Sequence, residues 1–394
     1  MDLHHTAAHG RHRRRRAHRR LAVLGLALVL VAGAAVVAAL WPRGSEESAG
    51  AVGSARTSAA AAGTPDAAAT PDAAATPTPQ EAAPAASAAE PGVGPAVAVG
   101  MAPHHMAVAP DGSFAYVADP AAGAVLRFDT ATATATATIP VPGAPPQLVT
   151  FAPDGTRAYV SAYEEGYGAN SVITLDTGTD TVVFSVPAAR GPYAAGTTPD
   201  GRLLYVPYFD DDHLDVLDTA TGAMVARIPA APCPHWVDFT ADGRFAYTTN
   251  HFTDVVTVLE VPANTVVATV PVGDGPHSLE VSPDGTRVAV VNYISGDVSM
   301  IDTASNTVVG TVPAVGAGPQ DVTYAPDGRH FYTANVDDGT VSVVDAATGT
   351  VTARIPTGAS PTGVVVTPDG RRAFVSNYGD GTVRVLDTAA GPPG

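Results

Sequence analysis

The sequence predicts an all-β protein built as a seven-bladed β-propeller, and its internal repeats carry that prediction. An Asp-Gly dipeptide recurs with spacings of 43, 46, 42, 42, 43 and 42 residues. Each copy precedes a short β-rich run, such as FAYVAD or FAYTTN, and further runs of the same kind complete the unit. Repeats of about 40–45 residues with four short strands are typical of propeller blades. The seven dipeptides are Asp111-Gly112, Asp154-Gly155, Asp200-Gly201, Asp242-Gly243, Asp284-Gly285, Asp327-Gly328 and Asp369-Gly370.

Two turn signals in each repeat predict how the four antiparallel strands connect. Asp-Gly is suited to the tight turn between the first and second strands, because glycine tolerates a positive φ. An acid followed by Thr or a similar residue, as at Asp302, predicts the turn between the third and fourth strands. Both turns then lie on one face of the propeller. The loops between the second and third strands lie on the other face, where the second repeat has four extra residues within YEEGYGAN, 163–170.

The two ends of the repeat region predict how the ring closes. The last repeat ends at VRVLDTAAGPPG and has no fourth strand of its own, whereas PAVAVG at 95–100 is a strand without a blade. We therefore expect the N-terminal strand to complete the last blade. Closure of this kind removes the exposed strand edges that invite aggregation.

The runs that follow the Asp-Gly turns carry a family resemblance. YVAD, YVSA, YVPY, YTTN, YTAN and FVSN resemble the repeats of YVTN-type propellers, such as the YncE-like and surface-layer propellers of prokaryotes. The resemblance covers about three quarters of the chain. It implies a seven-bladed propeller outside the cytoplasm. It brings no catalytic residues, because the signature residues build turns and strands.

The N-terminal segment predicts an anchor that holds the propeller outside the cytoplasm. Residues 1–20 are basic, and residues 21–41 form an uncharged apolar run long enough for one transmembrane helix. Arginines before this run and acids after it place the N-terminus in the cytoplasm of a single-pass membrane protein. A cleavable signal peptide, which would yield a secreted protein, is the alternative, because Ala32-Gly33-Ala34 resembles a processing site.

Composition predicts a linker followed by an acidic propeller. Residues 42–94 are rich in Ala, Pro and Thr and predict a disordered linker, which leaves 95–394 for the propeller. Beyond residue 42 the chain has 14 arginines and 37 acids, a balance of 14 − 37 = −23. Such a balance argues against nucleic-acid binding. The single cysteine, Cys233, cannot form an intramolecular disulfide, so the fold depends on its core.

Polar residues cluster at one position of the repeat and form the candidate ligand site. The position follows a proline at the start of the innermost strand, at the channel mouth on the face opposite the Asp-Gly turns. His251, in a neighbouring loop, joins this set. Around the ring the position is occupied by His104, Gln147, Tyr193, His235, His277, Gln320 and Thr362. His235 and His277 belong to adjacent blades and are able to converge, whereas His104 lies across the channel.

Three functional readings stay open. The preferred one is a binding module, monomeric and without cofactor or metal, whose varied face binds a protein, a cell-wall glycan or a small molecule. The second is a metal-dependent hydrolase or lyase, or a haem carrier, that uses His104, His235 and His277; seven-bladed lactonases share this architecture. The third is a structural surface-coat protein. Common catalytic motifs are absent, so no catalytic residue is assigned.

Overall fold

The computed structural model describes residues 83–164, 166–261 and 263–390. In this part of the chain 28 β-strands form seven antiparallel sheets of four strands, and no helix occurs. The innermost strands of neighbouring sheets contact one another all the way around, which closes a ring. The predicted all-β, seven-bladed propeller with four strands per blade is therefore confirmed.

The strands of each blade run in chain order from the channel outward. Blade 1 contains β2 (His105–Val108), β3 (Phe114–Asp119), β4 (Ala124–Asp129) and β5 (Thr134–Pro140), and blade 2 contains β6 (Pro146–Phe151), β7 (Arg157–Tyr163), β8 (Asn170–Asp176) and β9 (Thr181–Pro187). Blade 3 contains β10 (Gly196–Thr197), β11 (Leu203–Pro207), β12 (His213–Asp218) and β13 (Met224–Pro229), and blade 4 contains β14 (Pro234–Phe239), β15 (Phe245–Asn250), β16 (Val255–Glu260) and β17 (Thr265–Pro271). Blade 5 contains β18 (Pro276–Val281), β19 (Arg287–Asn292), β20 (Asp297–Asp302) and β21 (Thr307–Val312), and blade 6 contains β22 (Pro319–Tyr324), β23 (His330–Asn335), β24 (Thr340–Asp345) and β25 (Thr350–Pro356). Blade 7 contains β26 (Pro361–Val366), β27 (Arg372–Asn377), β28 (Thr382–Ala389) and the N-terminal strand β1 (Ser87–Ala98).

The N-terminal strand closes the last blade, as the sequence predicts. β1 pairs antiparallel with β28, with Val97 opposite Val383. The strand begins at Ser87, so the linker prediction for residues 42–94 is wrong at its C-terminal end. Backbone hydrogen bonds order the segment there, because Ala85 N–H donates to Asp369 O and Ala390 N–H donates to Ala86 O. The remainder of the predicted linker, up to residue 82, lies outside the described residues.

Both turn types adopt the predicted geometry and lie on the same face. In blade 5, Gly285 has a φ of 72°, and the Asp284 carboxylate accepts a hydrogen bond from Thr286 N–H at 3.0 Å. Asp302 likewise accepts from Ser305 N–H at 2.9 Å. The Thr303 hydroxyl donates to Gly285 O at 2.7 Å and joins the two turns directly. The threonine after the strand-end acid therefore links one turn to the other.

The tyrosines of the YVTN-type runs connect one blade to the next. The hydroxyl of Tyr247 in blade 4 donates to Asn306 Oδ1 of blade 5 at 2.8 Å. Tyr205 bonds to Asn264 and Tyr116 to Asp180 in the same way. The three acceptors have φ values of 52–53°, in the left-handed region that Asn and Asp adopt more readily than most residues. These tyrosines are therefore structural and belong to the contacts between blades.

The core lies between the blades and consists mainly of the second and third strands. Every residue of β3 and of β23 is buried, whereas the outermost strand β9 alternates between exposed and half-buried residues. This gradient is expected where each sheet packs both faces against neighbouring sheets and leaves only its outer strand in solvent.

The predicted membrane segment lies outside the described residues. Within residues 83–164, 166–261 and 263–390 no helix is long and apolar enough to cross a membrane. The predicted basic tail, 1–20, and the predicted span, 21–41, therefore stay predictions.

Ser87 attaches the closing strand to the neighbouring blade 6. Its backbone N–H donates to Asp327 Oδ2 at 2.6 Å, and its hydroxyl lies 2.8 Å from Asp327 Oδ1. The same hydroxyl lies 2.7 Å from His330 Nδ1. Ser87 and His330 are both buried, so this contact ties the first residue of β1 to a blade that is more than 200 residues away in sequence.

We predict that Ser87→Ala destabilises the propeller. The variant removes a buried hydroxyl that two polar groups share, and we expect the free energy of unfolding in urea to fall by about 1–3 kcal/mol. Ser113→Ala is the matched control, because Ser113 makes the same kind of contact, to Asp111, on an exposed turn. Its effect is expected within about 0.5 kcal/mol. Equal losses in the two variants would show that the Ser87 contact adds nothing to ring closure.

Candidate functional site

Three of the predicted ring residues come together at the start of the innermost strands of blades 3, 4 and 5. The ring centroids of Tyr193 and His235 are 4.0 Å apart, and those of His235 and His277 are 4.5 Å apart. The Tyr193 hydroxyl lies 3.3 Å from His277 Nε2. The convergence of His235 and His277 is therefore confirmed.

His251 and several aromatic rings surround this group. The His251 ring is 4.9 Å from His235, and its Nδ1 lies 3.2 Å from Pro276 O, so that nitrogen carries a proton that it donates. Phe209 packs edge-on against His235 at 4.6 Å, and Phe252 packs against His251 at 4.8 Å. His251 therefore belongs to the same cluster although it comes from a loop.

The cluster is a packed plug. Tyr193 is 5% exposed, His235 and His251 are 3% exposed, and His277 is 1% exposed. Gln320 of blade 6 is also buried and makes a side-chain hydrogen bond with the Tyr193 hydroxyl. Tyr193 thus reaches from blade 3 to blades 5 and 6. The side chains that the sequence places at the channel mouth are therefore packed against one another at this face.

The remaining ring positions connect the backbones of neighbouring blades. His104 Nδ1 donates to Gln147 O at 2.8 Å, and the Gln147 side chain donates to Tyr163 O at 3.1 Å. The Thr362 hydroxyl donates to His104 O. Burial lowers the pKa of His104, which favours the neutral ring. His104 therefore lies apart from the plug and joins blades 7, 1 and 2.

Asparagines at the ends of the second strands also have structural partners. Asn335 donates to Val315 O, and Asn250 donates to Ala231 O at 2.6 Å. Both side chains are fully buried. Among the described residues no group of three or more His, Cys, Asp or Glu side chains is arranged to hold a metal ion. The histidine plug therefore offers packing and hydrogen bonds.

Trp236 forms a second layer beneath the plug. It lies on the innermost strand of blade 4 and crosses the channel to blade 1, where its ring is 5.4 Å from that of His105. It also packs against the group formed by Leu148, Tyr193 and Ala194. Burial lowers the pKa of His105 to about 3, so its ring is neutral. Tyr193 of blade 3 thus contacts His277 of blade 5, and Trp236 of blade 4 contacts His105 of blade 1.

Below this layer the channel contains a cavity of about 360 Å³. It lies along the remaining length of the innermost strands, towards the ends that lead into the Asp-Gly turns. Among the described residues that line it there is no arginine. All seven innermost strands contribute to its wall, as illustrated by Ala107, Thr150, Thr197, Asp238, Glu280, Thr323 and Val365.

Three carboxyl groups from consecutive blades face this channel. Asp238 Oδ2 accepts a hydrogen bond from Val281 N–H at 2.8 Å, across the gap from blade 4 to blade 5. Asp321 Oδ2 accepts from Val364 N–H at 2.9 Å, from blade 6 to blade 7. Glu280 lies between them and bonds to the backbone N–H of blade 6 at Tyr324. Each acid therefore bridges its own blade to the next.

Burial makes these carboxyl groups hard to ionise. It raises the pKa of Asp238 to about 6 and that of Asp321 to about 7. Burial, followed by the charge of Asp238, raises the pKa of Glu280 well above its usual range. The backbone donors oppose this shift but do not cancel it. At neutral pH the cavity therefore carries titratable carboxyl groups with no neighbouring cation in its wall.

At this point the comparisons identify the family. The sequence matches the family described as "Lactonase, 7-bladed beta-propeller" over residues 69–309 and 300–392. The chain belongs to the seven-bladed β-propeller lactonase family. The predicted YVTN-type architecture agrees with this membership. No curated protein sequence matches the chain.

A solved structure supports the same fold. A chain of the Kuenenia stuttgartiensis hydrazine synthase is similar, with a TM-score of 0.67 and 22% sequence identity. The similarity covers 74% of this chain and 97% of that one. At this identity the likeness extends to the fold alone.

The residues that follow the prolines do not point to the channel carboxyl groups, which lie further along the innermost strands. The signal in the sequence is an acid two or four residues beyond the proline in three consecutive repeats, at Asp238, Glu280 and Asp321. Every second side chain along a strand lies on the same face of the sheet, so positions two and four residues beyond the proline share a face.

We predict a pH-dependent stabilisation by Asp321→Asn. A carboxyl whose pKa is raised in the folded state binds more protons folded than unfolded, so its contribution to stability falls as pH rises from about 4 to about 7. The amide cannot ionise, so between pH 5 and 8 the variant should gain about 2 kcal/mol of unfolding free energy relative to wild type. The change with pH is the quantity to measure, because loss of a hydrogen bond adds a constant offset.

Urea unfolding at several pH values tests this prediction. All other titratable groups are present in both proteins, so the difference isolates Asp321. Asp212→Asn, on an exposed loop, serves as the control. A constant difference between Asp321→Asn and wild type from pH 5 to 8 would contradict the raised pKa.

Proposed function

We propose that this protein is a binding module, held outside the cytoplasm by its N-terminal segment, whose central channel binds a small molecule. The observation that carries the proposal is the cavity of about 360 Å³ enclosed by all seven blades. Ligand sites in proteins usually occupy about 300–1,000 Å³ and combine apolar walls with a few polar groups. Here Val108 and Val365 supply apolar wall, and Asp238 and Glu280 supply polar groups.

The plug supports a site inside the channel in preference to one on the varied outer face. Tyr193, His235 and His277 are buried against each other, so they offer little surface to a partner. Their packing places a layer of buried side chains at that end of the channel. Exposed acids such as Glu164 and Asp337 surround the outer face and are solvated loop residues.

We predict that filling the cavity abolishes ligand binding. Thr150→Phe places a ring where a half-buried threonine lines the channel, whereas Thr136→Phe changes an exposed residue of the outermost strand. Thermal-shift screening of the full chain against amines, sugars, lactones and carboxylic acids should find compounds that stabilise wild type and Thr136→Phe. The same compounds should leave Thr150→Phe unchanged. Stabilisation that persists in Thr150→Phe, or no stabilising compound at all, would contradict a channel site.

Lactone hydrolysis is a second candidate, favoured by the family match and by the carboxyl groups beside the cavity. A carboxylate with a pKa near the working pH, such as Asp321 at about 7, suits a general base that activates water. The candidate ranks second because an acyl-transfer site needs a donor for the developing oxyanion. The channel-edge amides of Val281 and Val364 already donate to carboxylates, so they do not serve as donors to an oxyanion.

A proton-release assay with five- and six-membered lactones separates the two candidates. If the chain is a hydrolase, turnover should fall by about 100-fold or more in Asp321→Asn. The control Asp212→Asn should retain full turnover. Lactone hydrolysis no faster than the uncatalysed rate would leave binding as the function.

A further inference from the structure

We propose that the channel cavity selects a compact organic ammonium ion. This inference rests on the proposed function, because it assigns a ligand class to the same cavity. It is argued from the charge of the cavity wall, from the aromatic ring at one end and from the available volume.

The charge of the wall favours a cation. Asp238, Glu280 and Asp321 come from three consecutive blades, and no arginine is found among the described residues that line the cavity. Each carboxylate has two oxygens with about four acceptor positions, and the backbone donors occupy only some of them. Free acceptor capacity therefore remains for an N–H or for the diffuse charge of an alkylated ammonium. An anionic ligand would meet like charge wherever these carboxyl groups ionise, and in a poorly solvated site.

Trp236 adds an aromatic surface beside the same acids. It precedes Asp238 by two residues on β14, so the two side chains leave the strand in the same direction. Trp236 is half-buried and lines the cavity. A tryptophan face is the best cation–π partner among the aromatic side chains. An aromatic wall next to carboxylates distinguishes this cavity from a hydrated metal-ion site, which uses oxygen ligands alone.

The volume limits the ligand to a small molecule. A cavity of about 360 Å³ has space for about a dozen water molecules at roughly 30 Å³ each. Tetramethylammonium and choline are within this limit. The innermost strands of blades 3 and 4 approach each other closely, because Ala194 N–H donates to His235 O there.

Ammonium binding should also release protons from the wall. The titratable groups that face the cavity are Asp238 on β14, Glu280 on β18, Asp321 on β22, His105 on β2 and Tyr159 on β7. Burial raises the pKa of Tyr159, so its phenol stays neutral between pH 5 and 8. A bound cation favours the ionised carboxylates. The buried His105 ring stays neutral and therefore does not repel the cation. The affinity for an ammonium ion should therefore increase as pH rises from 5 to 8.

We test the inference by titration calorimetry on the purified full chain at fixed ionic strength. The probes are choline and its neutral isostere 3,3-dimethylbutan-1-ol, which have nearly the same shape. We expect choline to bind at least tenfold more tightly than the alcohol at pH 8, and more tightly at pH 8 than at pH 5. Glu280→Gln and Trp236→Leu should each lower the affinity for choline at least tenfold, and Asp212→Asn should leave that affinity unchanged.

The outcomes separate this inference from the proposed function. Equal affinity for choline and the alcohol, or no binding of choline, overturns the inference. A neutral or anionic compound that stabilises wild type but not Thr150→Phe would then leave the channel as a binding site of a different class. If Glu280→Gln and Asp212→Asn lowered the affinity for choline equally, choline would be held only by general electrostatic attraction to an acidic protein. That result would also overturn the inference.

Discussion

The innermost strand of every blade has one edge without a neighbour in its own sheet, and this edge faces the central channel. Its N–H groups lie in a confined space, where an unpaired amide is costly. The chain satisfies this constraint differently around the ring. Asp238 and Asp321 accept from the amides of the next blade, and His105 accepts from Val149 N–H at 3.4 Å. Much of the channel's chemistry follows from how these edges are paired.

Blades 3 and 4 show a solution that uses the backbone alone. Ala194 N–H donates to His235 O at 3.1 Å, and Val237 N–H donates back to Ala194 O at 3.3 Å, so the two innermost strands pair directly. Such an approach requires small side chains. A Cβ at Gly196 would lie 2.8 Å from Val237 O, so glycine is needed at that position. All seven innermost strands line the cavity, and Asp238, Glu280 and Asp321 bridge the successive gaps from blade 4 to blade 7.

The sequence predicts the fold well because each blade repeats its local signals. Spacing, Asp-Gly turns and the missing fourth strand of the last repeat determine the blade count and the closure by β1. The start of β1 was placed too late, because Ser87 is ordered by Asp327 and His330, which are distant in sequence and nearby only in the closed ring. Local composition cannot report such a contact.

The grouping of the plug residues follows from the sequence, but their burial against one another does not. The repeat register places Tyr193, His235 and His277 on one ring, and the structure brings them together. Whether they face solvent or each other depends on rotamers and on the small residues beside them, which the ring position does not encode. Asp238 and Glu280 were overlooked because each stands alone in its strand, and they become a group only when the blades are arranged around the channel.

The central claim is that the channel carboxyl groups are buried, hard to ionise and available to a cation. It is tested most directly by a ¹³C NMR titration of the aspartate and glutamate carboxyl carbons in the full chain, with resonances assigned from Asp238→Asn, Glu280→Gln and Asp321→Asn. The account predicts midpoints of about 6 for Asp238 and about 7 for Asp321, and lower midpoints when tetramethylammonium is present. Midpoints near 4 for both groups, unchanged by the cation, would contradict it.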